Sequence, residues 1–206
     1  MTIIHEGLAH YKGHVMAAVD LETTGKQPGH HEVCQIAILP LDNDLRPSKT
    51  VRPFVSYVRP ESPSRADMAA MRVNGLSVSR LMETAPPSGR VQEMLIEWFD
   101  KLELPYQRRI IPLAHNWAFE SSFLNAWLGA PLFEQMFQGH ARDAMILANC
   151  LNDRASMAGR AVPFPEVGLT ALCSTLKVNN EHAHDAMSDC VAEAAVYRNM
   201  IVGAFL

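Results

Sequence analysis

Apolar and polar positions along this chain fall into two regimes. The first third reads as strand. "HVMAAVD", residues 14 to 20, is a short apolar run rich enough in valine for a central strand. "ETTGKQPG" follows as a turn marked by Gly25, Pro28 and Gly29. "EVCQIAILPLD" predicts a second strand, "LDNDLRP" a hairpin-like connection, and the alternating "KTVRPFVSYVRP" a third strand that stops at Pro60. Together these make an antiparallel meander.

Helical spacing then takes over. "SRADMAAMRVNG" predicts a helix with Ser64 as N-cap and Gly75 as its stop. "SGRVQEMLIEWFDKL" is amphipathic, with apolar residues at 91, 94, 95, 98, 99 and 102. "RRIIPLAHN" reads as a short strand, and a helix from about Asn116 to Leu128 follows it. "ARDAMILANCLNDRAS", starting near Asp143, "EVGLTALCSTLKV" and "DAMSDCVAEAAVYRNMIV" predict three more helices. The last places Met187, Cys190, Val191, Ala194 and Ile201 on one side. Strands first, then helices with a strand among them, suit an α/β sandwich with a mixed sheet. The "RPESPS" and "ETAPPSG" segments read as loops between elements, so one domain over residues 1–206, with its core at about 14–202, is expected.

Four acids break this pattern. Glu120 lies three residues after Trp117, three before Phe123 and four before Leu124, on the apolar stripe of its helix. The helix dipole explains an acid near a helix start but not one aimed at the core. Asp20 and Glu22 end the first strand, and residues two apart on an extended chain point to the same side. Two like charges so placed repel unless a cation or proton lies between them. Asp189 sits at the edge of the buried side of the last helix. A hard divalent cation such as Mg²⁺ or Mn²⁺ would account for an all-oxygen set, whereas zinc would call for His or Cys. His184 lies five residues before Asp189, where an imidazole could take a proton from a metal-bound water.

Composition narrows the picture. The 206 residues are 48% apolar, enough for a substantial core, and the formal charge is −4. A protein that coats nucleic acid usually carries a large basic excess, so any nucleic acid here should be gripped over a short stretch. Cys34, Cys150, Cys173 and Cys190 form no CxxC pair and sit in apolar stretches, which predicts buried thiols in a reducing compartment. No stretch approaches the ~20 apolar residues of a membrane span, and the start of the chain has no signal-peptide pattern. A cytoplasmic protein is expected.

The same residues resemble a known family. "DLETTG" (20–25), "HNWAFE" (115–120) and "HDAMSD" (184–189) are similar, in order, to the three motifs of the DEDDh 3′–5′ exonucleases. "RVNGLS" (72–77) resembles that family's helix end between the first two motifs, and "RDAMILA" its helix start before the third. The resemblance runs from about residue 14 to 202. It implies a ribonuclease H-like fold, a mixed central β-sheet flanked by helices. It further implies two divalent cations held by Asp20, Glu22, Glu120 and Asp189, with Asp20 bridging them and His184 as general base. The implied reaction releases nucleoside 5′-monophosphates from the 3′ end of DNA or RNA, single-stranded or frayed. Thr23, Asn116 and Phe119 would contact the terminal nucleotide, and any polymerase partner would act in trans. The chain departs from the family at Glu120, where aspartate is usual. One extra methylene moves a carboxylate by ~1 Å, which Mg²⁺ tolerates poorly. The competing reading is therefore an impaired exonuclease-fold module that binds nucleic acid as a polymerase or repair accessory. Where some relatives stack bases on several aromatics, this chain has Lys26, Val73 and Arg142 and keeps only Phe119.

Overall fold

A computed structural model describes residues 7–203. Strands β1 (His10–Tyr11), β2 (His14–Thr23), β3 (Val33–Pro40) and β4 (Phe54–Tyr57) come first. Helices α1 (Met68–Val73), α2 (Val78–Thr84) and α3 (Ser88–Asp100) precede β5 (Ile110–Ala114). Then come α4 (Trp117–Leu128), α5 (Ala130–Met136), β6 (Arg142–Asp143), α6 (Ala144–Met157), α7 (Leu169–Leu176) and α8 (Ala186–Val202). The sheet order is β4-β3-β2-β5-β6, with β1 on β2. β2, β3 and β4 run antiparallel, and β5 and β6 join in parallel. The expected mixed sheet flanked by helices is present.

The sheet is covered on both faces, so its central strands are apolar almost throughout. Val15, Ala17, Val19 and Leu21 of β2 enter one core with Val91, Leu95 and Phe99 of α3 and Phe123 and Leu124 of α4. Ala18 points the other way, into a core with Ala186, Cys190 and Ala194 of α8. That parity puts Asp20 and Glu22 on the α8 side. Behind α8, its residues Ala192, Val196 and Met200 pack on Ala144 and Ala148 of α6 and Leu172 of α7. Helix α8 is thus sandwiched. The single apolar side expected of it is corrected: Cys190 and Ala194 are buried, but Val191 and Ile201 are exposed.

Other differences have local causes. The third strand is confined to Phe54–Tyr57, because Pro53 has no N–H to offer the ladder. Ser64 is not an N-cap; it lies in a 3₁₀ turn over Pro63–Arg65, and Asp67 caps α1 by accepting from Ala69 N–H at 2.7 Å. Gly75, at φ +65°, does end that segment, in the left-handed conformation glycine adopts without strain. Cys150 is exposed, unlike the other three cysteines. Helices α2 and α5 and the two-residue strands β1 and β6 were not expected from the pattern. No described helix is long and apolar enough to cross a membrane.

Candidate active site

The β2–β5 pairing runs from Val15↔Ile110 to Ala18↔Leu113, and the acids gather where it ends. β2 continues towards Asp20, Glu22 and the turn beyond, now paired with β3 only. There the Thr23 hydroxyl donates to the Gly25 carbonyl at 2.6 Å. A Cβ on Gly25 would run into the His31 ring, so the turn favours glycine. Asn74, after α1, donates to the Thr23 carbonyl at 3.2 Å and holds the turn from outside.

Helix α8 brings the third group of residues. Asp189 is 7% exposed, and both its oxygens accept hydrogen bonds. One comes from Asn180 at 2.7 Å and one from the His184 backbone N–H at 2.9 Å. The second bond pins His184, at φ +68°, on the rim with its ring exposed. Asp185 caps α8 by accepting from Ser188 N–H at 3.0 Å. Gln35, on β3 directly opposite Glu22, clamps that cap. Its amide donates to Asp185 at 2.8 Å, and its carbonyl accepts from Ala186 N–H at 3.3 Å. Gln35 is almost fully buried. A lone polar residue in an otherwise apolar strand was the signal that sequence reading passed over. One ligand atom each from Glu22, His184 and Asp189 lies within 4.8 Å of the others.

Helix α4 supplies Glu120. Asn116 stands at its N-cap position in a left-handed conformation, but its side chain makes no capping bond. Asp143 caps the helix instead, accepting from Trp117 N–H at 2.8 Å. Its other oxygen accepts from Met145 and Ile146 N–H, so one carboxylate starts both α4 and α6. Phe119, half-buried, packs on Phe123 with ring centroids 4.8 Å apart. Glu120 is 4% exposed and its Oε2 has no hydrogen-bond partner.

The electrostatics follow from this crowding. Burial pushes the Asp20 carboxyl well above its ordinary range, and the charges of Glu120, Glu22 and Asp189 push it further. Burial does the same to Glu22, reinforced by Asp189 and Asp185, and raises it to about 8. Glu120 is raised chiefly by burial, with a backbone hydrogen bond pulling the other way and Asp143 and Glu22 adding to the rise. The ion pairs found among the described residues, from Arg90 to Glu93 and Glu97, lie on the surface of α3 and do not reach these acids. An uncompensated buried carboxylate costs several kcal/mol, so the cluster demands protons or cations. An all-oxygen donor set with an orphaned buried carboxylate oxygen fits a hard divalent cation.

A mixed sheet whose splayed strand ends carry acids, with a helix closing over them, defines a ribonuclease H-like enzyme architecture. The chain belongs to the exonuclease family: residues 17–197 match the family described as Exonuclease (RNase T). Among solved structures, it is similar to E. coli exonuclease I in complex with a dT13 oligonucleotide. That match has 17% identity over 91% of this chain and 41% of the other, with TM-score 0.72. The moderately thermophilic exonuclease I of Methylocaldum szegediense matches at 19% identity over 91% and 40%, with TM-score 0.68. Cell-death related nuclease 4 matches at 19% identity over 90% and 63%, with TM-score 0.66. The chain thus spans about 40% of the exonuclease I chains. No curated protein sequence matches it.

Proposed function

We propose that this chain is a divalent-cation-dependent 3′–5′ exonuclease that releases nucleoside 5′-monophosphates from single-stranded or frayed ends. The observation that carries this reading is the convergence of Glu22 and Asp189 with His184, from two distant segments, with the half-buried Asp20 and the buried Glu120 acting on the same cluster. Asp20, Glu22, Glu120 and Asp189 would hold the cations, Mg²⁺ or Mn²⁺. When bound, such a pair supplies an acidified water and charge neutralisation at both reacting oxygens of a phosphodiester.

The chain's own residues do the rest. The His184 ring, exposed at the rim, takes the proton from the attacking water. Asp189 fixes the His184 backbone, and Gln35 fixes the start of α8, so the base is held on a rigid element. Asn116, free of a capping bond, Phe119 and Thr23 would contact the terminal nucleotide. A cleft of ≈420 Å³ adjoins the Thr23 turn through His31 and is lined by Arg59, Arg65 and Trp127, with Glu32 and Glu61 also on its wall. Cationic groups with an aromatic suit a single strand. The dT13 ligand of E. coli exonuclease I supports that choice. Burial of Glu120 beside Asp20 supports its role as the second motif's acid, despite the longer side chain.

The test uses 5′-labelled single-stranded DNA and RNA with Mg²⁺ or Mn²⁺. A ladder shortening from the 3′ end, lost in Asp20→Ala and in His184→Ala, is expected. Binding without cleavage would replace this reading with that of a non-catalytic module.

A further inference from the structure

A fifth carboxyl group lies behind the four acids. Glu193 is on α8, one turn after Asp189, and is 0% exposed. Its Oε1 accepts from Val19 N–H at 3.1 Å. Val19 is the residue after the last β2–β5 pair, so its N–H has lost its strand partner, and Glu193 satisfies it. A backbone hydrogen bond from His115, just past the end of β5, also reaches this carboxyl. Glu193 therefore spans the fork at which β2 and β5 separate. The residues it holds directly precede Asp20 on one strand and Asn116 on the other.

Its second oxygen is the unusual one. Glu193 Oε2 is buried and has no hydrogen-bond partner, like Glu120 Oε2. The charges of Asp20 and Glu120 both act on the Glu193 carboxyl, while burial is the larger influence. A residue needed only to accept the Val19 and His115 bonds would be served by Gln or Asn without a buried charge. Ala18 and Leu113 at the last strand pair and Cys190 and Ala194 on α8 leave the fork otherwise apolar. A lone acid facing two others there is stable only with a positive charge or a proton between them.

We infer that Glu193 is a further residue of the cation site: Oε1 staples the strand fork, and Oε2 adds negative charge behind Asp20 and Glu120. The inference rests on the cation-binding reading given above. It adds the fully buried Glu193 to the acids whose charges act on Asp20, beside the group formed by Glu22, His184 and Asp189. It also gives the longer Glu120 side chain a setting, since Glu120 and Glu193 both lie deeper than the rim that His184 occupies.

The experiment compares wild type with Glu193→Gln, which keeps the Oε1 acceptor and removes the charge. Mn²⁺ binding is measured by titration calorimetry, and thermal stability is measured with and without Mn²⁺. Glu134→Gln, the same charge change on an exposed position of α5, is the control. We expect Glu193→Gln to bind Mn²⁺ about tenfold or more weakly. Its metal-free Tm should be equal to or above wild type, and its Mn²⁺-induced rise in Tm smaller. Unchanged Mn²⁺ affinity, or a metal-free variant that is less stable or fails to fold, would make Glu193 a structural brace and overturn the inference. Wild type that binds no Mn²⁺ would overturn the proposed function with it. Wild type that binds while Glu193→Gln binds equally well would overturn this inference alone.

Discussion

Glu22→Gln should make the metal-free protein more stable, by an amount that grows with pH. Glu22 is 9% exposed, and burial with the charges of Asp189 and Asp185 raises its carboxyl from 4.5 to about 8. Between those two values the folded chain keeps a proton that the unfolded chain has released. The unfolded state then binds fewer protons, so stability falls as pH rises through the window. Glutamine imitates the protonated carboxyl and carries no such penalty. The difference between variant and wild type therefore starts near zero at the acid end. It grows by about 1.4 kcal/mol per pH unit, to about 3–5 kcal/mol near pH 8. At about 2–4 °C per kcal/mol for a chain of this size, a Tm gap on the order of 10 °C is expected. The assay is thermal unfolding in EDTA at several pH values. Taking the difference cancels the histidines, including His14 and His115, which burial lowers and which contribute with opposite sign. Mn²⁺ should then narrow the gap. A ligand at about 100 times its Kd stabilises wild type by about 2.7 kcal/mol, and the variant should gain less. Wild-type and variant curves that run parallel in EDTA across the whole window would refute the reasoning.

His184→Ala should lower the cleavage rate by about 10²-fold or more while leaving Tm unchanged, since the ring is exposed and makes no structural bond; a rate within a few-fold of wild type would remove it as base. Glu120→Asp should retain or raise exonuclease activity, and Glu120→Ala should weaken Mn²⁺ binding; calorimetry on both variants checks the pair, and unchanged affinity in Glu120→Ala would exclude the residue as a ligand. Asp143→Ala should cost about 1–3 kcal/mol in urea unfolding, because it removes the caps of two helices at once; a cost under about 0.5 kcal/mol would show that solvent replaces them. Gln35→Leu keeps volume but frees Asp185 and the Ala186 N–H, so kcat should fall with little change in KM if the start of α8 positions His184; loss confined to stability would assign Gln35 a purely structural role.

The periodicity of the sequence determined the long elements. β2 and β3 follow from unbroken apolar runs, β4 from alternation, and α3 from apolar residues that recur with the helical turn. The misplacement of Glu120 on an apolar stripe was legible for the same reason, and the burial of its carboxylate bears that out. Ser64 and the length of the third strand were misread because Pro63 and Pro53 reset the backbone locally, overriding the surrounding pattern. The burial of α8 on two sides was equally hidden, because an apolar residue facing α6 or α7 looks the same in sequence as one facing the sheet.

The sequence by itself set which acids and which histidine are out of place, since an acid at an apolar position is a local fact. Only the tertiary structure decided how they meet. Gln35 reaches Asp185 across 150 positions, Asp143 caps a helix 26 residues earlier, and Glu193 meets Val19 across 174. The last of these bonds forms where β2 and β5 part after Ala18↔Leu113, and the other two form where helix starts meet the sheet, each satisfying backbone or carboxyl groups removed from water. The need to satisfy those groups arises only once the sheet has formed.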